Sequence, residues 1–368
     1  MNWLSLADAL LLALVTGSCI YCVLVVRAVQ LWQRQPRGRL TEPVSILKPL
    51  RGVDPDLEAN LRSFFALDYP QFELVFAVEN PEDEAYALCQ RLIAEHPAVN
   101  ARIVLTGQPY WDNAKVWQLA QAWDTLRYDL VVTADSDIRV PPDFLSGLEP
   151  WFDVGTCPYR AVGGPSFWSR LEAVGMNTEF LAGLMVARML EGVRFAVGPT
   201  MFLRQGVISR IGGWRELSEF LAEDFVIGHR AAQRDLRVGL SRQIVEHRIG
   251  SQDRATNFRH RLRWYRSTRR SRPAGYVGQL FTMPLPLILF LLAWRPDWWW
   301  VGLLAFGFRL LAAAAAASAV QAPFFPGLVA QDLLSFCFWV AGFFGRRIEW
   351  RGRWYELHPD GRFRRLTR

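Results

Sequence analysis

A chain of 368 residues, 51% of them apolar, is long enough for two or three modest domains and a proper core. Its net charge of +7 suits a nucleic acid or an anionic lipid as partner, and without a visible aromatic-basic recognition module the reading excludes nucleic acid in favour of lipid headgroups. Of its five cysteines, Cys19, Cys22 and Cys337 lie in apolar runs and Cys89 and Cys157 stand alone, a spacing that excludes both a metal cluster and a disulfide framework.

The apolar residues collect at the two ends. Leu4 to Val26 carries Asp8 as its one charge, and at ~1.5 Å per residue it can cross ~30 Å of hydrocarbon. It has neither a basic start nor an Ala-x-Ala-like cleavage site, so residues 1–27 read as a retained anchor. Arg27, Arg34, Arg37 and Arg39 follow at once, and basic residues beside a span prefer the cytoplasm. The middle of the chain is therefore expected on that side.

Pro43 to Leu47 predicts a first strand, ending at Lys48-Pro49. Leu57, Leu61, Phe64 and Phe65 have helical spacing, Phe72 to Val78 predicts a second strand ending at Glu79-Asn80, and Glu82 to Ala94 an amphipathic helix. Ala101 to Leu105 predicts a third strand, Asn113-Ala114-Lys115 opens a helix running to Trp123, and Leu130 to Ala134 is a fourth strand. This alternation implies right-handed crossovers and a largely parallel sheet. A Gly-rich dinucleotide fingerprint and a P-loop are both missing, which excludes a dehydrogenase and an ATPase of those types.

The fourth strand stops at Asp135-Ser136-Asp137. In an open α/β sheet, ligands sit beyond the carboxyl ends of the strands, and two carboxylates there can hold a hard divalent cation against a sugar nucleotide's diphosphate. Only two of the 42 basic residues are lysine, Lys48 and Lys115, and both fall where a compact charge would meet phosphate.

Further on, Phe195 to Arg204 is strand-like, Glu223-Asp224 opens a helix where carboxylates also serve as caps, and late strands are expected at Leu236–Leu240 and Ile244–His247. Asn257 to Arg266 interleaves arginine with aromatics, which suits a membrane-surface helix, a diphosphate clamp, or both. Hydrophobic segments follow at about 278–294, 298–320 and 328–344, broken by Arg295-Pro296-Asp297, Pro323 and Pro326. Three spans would carry the tail to the far side, yet Arg346, Arg347, Arg351, Arg353, Arg362, Arg364, Arg365 and Arg368 favour the near one. One segment is therefore expected to lie in the interface or to re-enter.

Taken in order, Leu47 to Pro55, Asp135 to Pro141, Ala222-Glu223-Asp224, Arg263-Trp264 and Ile348 to Gly352 resemble glycosyltransferase family 21, the ceramide glucosyltransferases and bacterial relatives that glycosylate hopanoid lipids. The resemblance implies an α/β, GT-A-type nucleotide-sugar-binding domain over 40–276, flanked by the anchor and by transmembrane or interfacial helices over 277–345, with a basic tail over 346–368. It further implies a membrane-bound, inverting enzyme that moves a sugar, expected to be glucose, from a UDP-sugar to a lipid hydroxyl such as that of ceramide, with Mg2+ or Mn2+. The implied setting is a bacterial inner membrane with the catalytic domain in the cytoplasm.

By the same resemblance, Asp135 and Asp137 handle the metal and diphosphate, and Asp224 is the general base with Glu223 beside it. Lys48, Pro49, Glu79, Asn80, Lys115, Arg261, Arg263 and Trp264 are expected on the nucleotide sugar, and Thr178, Glu179, Gly198, Thr200 and His260 around the acceptor. The chain departs from the pattern at Asn80, where the family has aspartate, at His260, which opens the Arg-Trp motif as in the hopanoid branch, and near Asn177, where an expected histidine is replaced by Glu179 as nearest candidate. Alternatives are a hopanoid lipid N-acetylglucosaminyltransferase, a processive polysaccharide synthase, and a non-catalytic nucleotide-sugar-binding scaffold.

Overall fold

A capping box starts the first helix. The Ser5 hydroxyl accepts from the Asp8 N–H and the Asp8 carboxylate accepts from the Ser5 N–H, so α1 (Leu6–Gln33) begins with two orphan donors satisfied. The computed structural model describes residues 5–323, 327–350 and 352–366, so Leu4, Pro326, Arg351 and Arg368 lie outside the described residues. α1 runs past the apolar stretch to Gln33, since no proline intervenes before Pro36.

The α/β region alternates β1 (Val44–Leu50), α2 (Leu57–Phe65), β2 (Phe72–Val78), α3 (Glu84–Glu95), β3 (Ala101–Leu105), α4 (Ala114–Trp123) and β4 (Leu130–Ala134). Every residue of β1 and of β4 is buried, as befits strands covered on both faces. Beyond β4 come β5 (Ile138–Arg139), β6 (Val154–Thr156), β7 (Tyr159–Gly163), α5 (Phe167–Gly175), α6 (Leu181–Glu191) and β8 (Thr200–Arg204). Two short helices, α7 (Gln205–Arg210) and α8 (Gly213–Leu217), lead to α9 (Glu223–Ala232), β9 (Val238–Leu240) and β10 (Val245–Ile249). The main sheet has the order β3-β2-β1-β4-β8-β6-β9, and β5-β10-β7 forms a second one.

The parallel expectation holds for β3, β2, β1 and β4, while β8 lies antiparallel to β4. The reason is the connection: no single helix leads from β4 to β8, and the chain passes through β5–β7 and α5–α6 before re-entering from the opposite end. That reversal places the β8 start beside the β4 end, pairing Ala134 with Thr200.

The remaining helices are α10 (Arg254–Ser271), α11 (Pro273–Gly278), α12 (Pro284–Trp294), α13 (Trp299–Ala319) and α14 (Leu328–Gly342). Among the described residues, two helical stretches, Leu6–Gln33 and Pro296–Ala319, are long and apolar enough to cross a membrane. Pro273–Thr282 with Pro284–Trp294 qualifies as a pair bent by 60°. Pro284 lacks the N–H that would continue the helix, which accounts for the break.

Contacts at the helix ends set their directions. At one end of α1, Asp8 accepts from Trp294 Nε1 and Arg295 Nη1, both at 3.0 Å. At the other end, Trp32 Nε1 donates to the Ser241 carbonyl of the α/β region at 3.0 Å. α12 therefore runs away from that region and α13 returns to it, where the Gln321 carbonyl accepts from Arg160 at 3.3 Å. Both ends of α14 touch the α/β side as well: Leu328 packs with Val174, and the Phe344 carbonyl just beyond the helix accepts from Arg266 Nε at 3.1 Å. α14 thus meets the α/β side at both of its ends.

The final residues are not a plain basic tail. They form a three-stranded antiparallel sheet, β11 (Arg347–Trp350), β12 (Arg353–Leu357) and β13 (Phe363–Arg365), whose apolar face packs on Leu221. The chain therefore comes back to the side of the α/β region, as its arginines favour.

Within the helical bundle, Arg309 of α13 grips Asp332 of α14 through two bonds of 2.9 and 2.7 Å, and both residues are almost fully buried. A charge in such surroundings persists only when paired. Asp332→Ala is expected to destabilise the protein by about 3–5 kcal/mol, and the double change Arg309→Met with Asp332→Leu to recover most of that. Thermal unfolding in detergent measures both; a single variant as stable as its parent would remove this role.

Candidate active site

The backbone at the end of β4 is held from two sides. The Asp135 N–H donates to the Pro199 carbonyl at 3.0 Å, and the Asp135 carbonyl accepts from Lys48 Nζ at 2.8 Å. Lys48 is wholly buried, with its ammonium 3.8 Å from the centre of the Phe64 ring, and burial pulls its pKa down to about 7. It therefore presents no surface to a phosphate: the expectation of direct nucleotide contact gives way to support of the acidic turn from beneath. Pro49, also buried in β1, shares that position.

The Asp135 carboxylate faces Lys115. Oδ1 lies 2.7 Å from Lys115 Nζ, which lies 3.2 Å from Glu223 Oε1 at the start of α9. Burial would lower the Lys115 pKa, but the two facing carboxylates outweigh it and hold the ammonium above its ordinary value. Lys115 is placed by the Asn113 cap, whose Oδ1 accepts from the Val116 N–H at 3.2 Å. The other half of that amide donates to the Phe220 carbonyl at 3.0 Å and to Glu223 Oε2 at 3.3 Å. One asparagine thus ties the start of α4 to the start of α9.

Asp224 adjoins this bridge. Its Oδ2 accepts from the Gly198 N–H at 2.5 Å, and burial, with Glu223 next to it, pushes its pKa up to about 6. A Cβ on residue 198 would stand 2.8 Å from that oxygen, so glycine is what permits the approach. Thr200 is buried two residues on, its hydroxyl turned back to the Pro199 carbonyl at 2.8 Å.

Asp137 is paired with His247 of β10, Oδ2 to Nε2 at 3.1 Å. Burial works against charge on both, yet each partner outweighs it: the aspartate sits below its usual range and the imidazole above. For Asp135, burial prevails over Lys115, and its pKa is raised. His247 was not among the expected site residues. The signal for it was available, because Val245, His247 and Ile249 alternate inward along a strand.

A divalent cation fits this turn on one observation: Asp137 Oδ1 is buried and has no hydrogen-bond partner. Among the described residues no group of three or more His, Cys, Asp or Glu encloses a metal site, so a cation held by Asp135 and Asp137 would complete its shell with phosphate oxygens and water, as Mg2+ commonly does.

The other expected residues fall into separate places. Glu79 and Asn80 follow β2, half-buried; the Gly107 N–H donates to the Glu79 carbonyl, and the Asn80 side chain accepts from the Glu82 N–H at 3.1 Å in a local turn. His260 Nδ1 lies 3.2 Å from the buried Glu172 and its ring meets that of Trp264 at a tilt of 56°, with Trp264 packed on the main core. Arg263 points its guanidinium towards Trp350, 5.7 Å away. Arg261, expected on the donor, is instead buried against α14, donating to Ser335 Oγ at 3.3 Å over the Phe338 ring.

Thr178 and Glu179 sit in the π-helical turn Met176–Phe180 between α5 and α6. The Thr178 hydroxyl returns to the Val174 carbonyl at 2.7 Å, while Glu179 accepts from Ser335 at 2.6 Å and from Tyr265 at 3.3 Å. Beside this turn is a largely apolar cavity of about 260 Å3, lined among others by Ala161, Val174, Thr178, Ala313 and Ala317. Ala161 pairs in register with His247, so the cavity wall and the Asp137–His247 pair belong to neighbouring strands.

Comparison with known proteins gives the family. The chain is 31% identical over 205 residues to ceramide glucosyltransferase 1 of Caenorhabditis elegans, a match covering 54% of this chain and 44% of that protein. It is 37% identical over 110 residues to the ceramide glucosyltransferase of Komagataella phaffii, covering 28% and 21%. The matched part is thus less than half the length of these curated relatives. Among solved structures, a mannosyltransferase from Pyrobaculum calidifontis in complex with GDP-Man and Mn2+ aligns with a TM-score of 0.49 at 19% identity, over 90% of this chain and 91% of that one. The family model for glycosyl transferase family 21 matches residues 9–363, nearly the whole length, and the chain belongs to that family.

Proposed function

We propose that this protein transfers a hexose, glucose in the first instance, from a UDP-sugar to the hydroxyl of a membrane lipid such as ceramide, with inversion at the anomeric carbon. The observation that carries the reading is the Lys115 bridge: carboxylates from segments almost ninety residues apart, Asp135 and Glu223, converge on one ammonium, with Asp224 beside them. A lipid acceptor is supported by the apolar cavity between β7, α5 and α13, one strand away from His247, the partner of Asp137.

In this reading the lipid hydroxyl enters beside Asp224, whose carboxylate takes its proton as the oxygen attacks the anomeric carbon. The bond from that carbon to the diphosphate oxygen breaks, and UDP leaves from the opposite face. A single displacement inverts the centre, so an α-linked donor gives a β-linked glycolipid. Lys115 and Arg263 stabilise the charge gathering on the diphosphate. Asp135 and Asp137 would hold a divalent cation, Mg2+ or Mn2+, which when bound neutralises the leaving group. The arginines after α1 support a cytoplasmic α/β region at a bacterial inner membrane.

The direct test is to incubate the purified protein with UDP-glucose, UDP-galactose or UDP-N-acetylglucosamine and either ceramide or a hopanoid alcohol, reading products by mass. The expected outcome is a hexosyl-ceramide; absence of any glycolipid from every pairing would overturn the proposal. Asp224→Asn should lower kcat by roughly 10²–10⁴-fold while UDP affinity, measured by calorimetry, stays within a few-fold.

The pH dependence follows from the raised pKa of Asp224. A base must be deprotonated, so kcat/KM should be level above pH about 6 and fall roughly tenfold per unit below it. A profile flat down to pH 4 would rule Asp224 out as the titrating base. Gly198→Ala, whose methyl would press on Asp224 Oδ2, is expected to cost about 10²-fold in kcat with little change in melting temperature.

A further inference from the structure

The C-terminal sheet is too small to stand alone. Its strands have four, five and three residues, and the face formed by Ile348, Tyr355, Leu357 and Phe363 is buried in one cluster with Leu221. Leu221 stands two residues before Glu223. The sheet also grips that segment through its backbone: the Phe363 N–H donates to the Glu219 carbonyl at 2.9 Å, and Phe220 forms an antiparallel bridge with Arg362. Arg362 Nε adds a contact of 3.0 Å to the Glu219 carboxylate.

Two further segments are reached from the same small unit. The Arg365 N–H donates to Asp112 Oδ2 at 3.2 Å, next to the Asn113 cap and three residues before Lys115. On the opposite edge, Glu349 lies 3.5 Å from Arg259 Nε, and the Trp350 ring lies 5.7 Å from the Arg263 guanidinium. Each segment touched therefore carries a residue that the proposed transfer uses: Lys115, the Glu223–Asp224 pair and Arg263. The two main cores of the α/β region close without any residue of this sheet. Exposed ion pairs of this kind contribute little to stability, so what the sheet adds is constraint.

We propose that the C-terminal sheet is a positioning element of the active site, clamping the segments around residues 112–115, 219–224 and 259–263 in one mutual arrangement, with Trp350 directing the Arg263 guanidinium. A misplacement of ~1 Å in such a constellation can cost ~10²-fold in rate, which is why three separate segments would be tied to one rigid unit. The kinetic consequence rests on the transferase reading; the structural one does not.

The test compares Trp350→Ala, Trp350→Phe and Arg362→Ala with the full-length parent in detergent. Trp350→Ala is expected to lower kcat about tenfold or more and raise the KM for the UDP-sugar several-fold, with the melting temperature within a few degrees; Trp350→Phe should recover most of the loss. Arg362→Ala removes a half-exposed side chain outside the sheet's core. It should speed hydrogen–deuterium exchange in peptides spanning 219–226 and 112–116 while leaving β1, β2 and β4 unchanged. Parental kinetics in Trp350→Ala, a loss not recovered by Trp350→Phe, or exchange changes confined to 347–365 would each overturn the proposal. If the parent itself transfers no sugar, the transferase reading fails and the exchange comparison still decides on the clamp.

Discussion

A single ammonium group between two carboxylates is what the rest of this architecture serves. Asp135, Asp137, Glu223 and Asp224 bring four acidic side chains to one edge of the sheet, and like charges so close would force protons on or push the segments apart. Lys115 opposes that by facing Asp135 and Glu223 together, His247 does the same for Asp137, and Lys48 holds the turn's backbone from below. Each cation arrives from a different element, so the acidic cluster exists only while β1, α4, β10 and α9 are correctly packed.

The same economy governs the junction with the helical bundle. α10 has three working faces: Arg261 enters the bundle against Ser335 and Phe338, Trp264 packs on the main core, and Arg263 meets the C-terminal sheet. The π-helical turn after α5 carries Glu179 to the same Ser335. Buried polar groups of this sort are costly unless satisfied, so their pairing fixes how the apolar helices sit beneath the site. An apolar cavity at that junction, one strand from His247, places hydrocarbon-compatible space beside the acidic edge of the sheet.

Much of this was legible in the residues. The first four strands and the helices between them follow from period and punctuation, and Asp135, Asp137, Glu223 and Asp224 stood out as carboxylates at a strand end and a helix start. Lys48 and Lys115 were equally conspicuous as the two lysines among so many arginines, yet their fates differ. Lys48 is buried within a strand under the turn, and Lys115 stands at a helix start, partly exposed between two carboxylates. Arg261 and Arg263, two residues apart, point to opposite partners because a helix turns by about 200° over that interval. His247 and the C-terminal sheet escaped notice: the histidine matters only through Asp137, and short basic strands resemble a solvated tail until Leu221 covers them.

The sequence alone determined which segments are apolar, which are strands or helices, and which side chains can carry charge at their ends, because these depend on neighbours within a few residues. The tertiary structure alone decided that β8 runs antiparallel, that both ends of α14 meet the α/β side, and that Lys115 stands between Asp135 and Glu223. Those outcomes depend on contacts between residues tens to hundreds of positions apart, and no local pattern encodes the distance between two segments that meet only after the chain has folded.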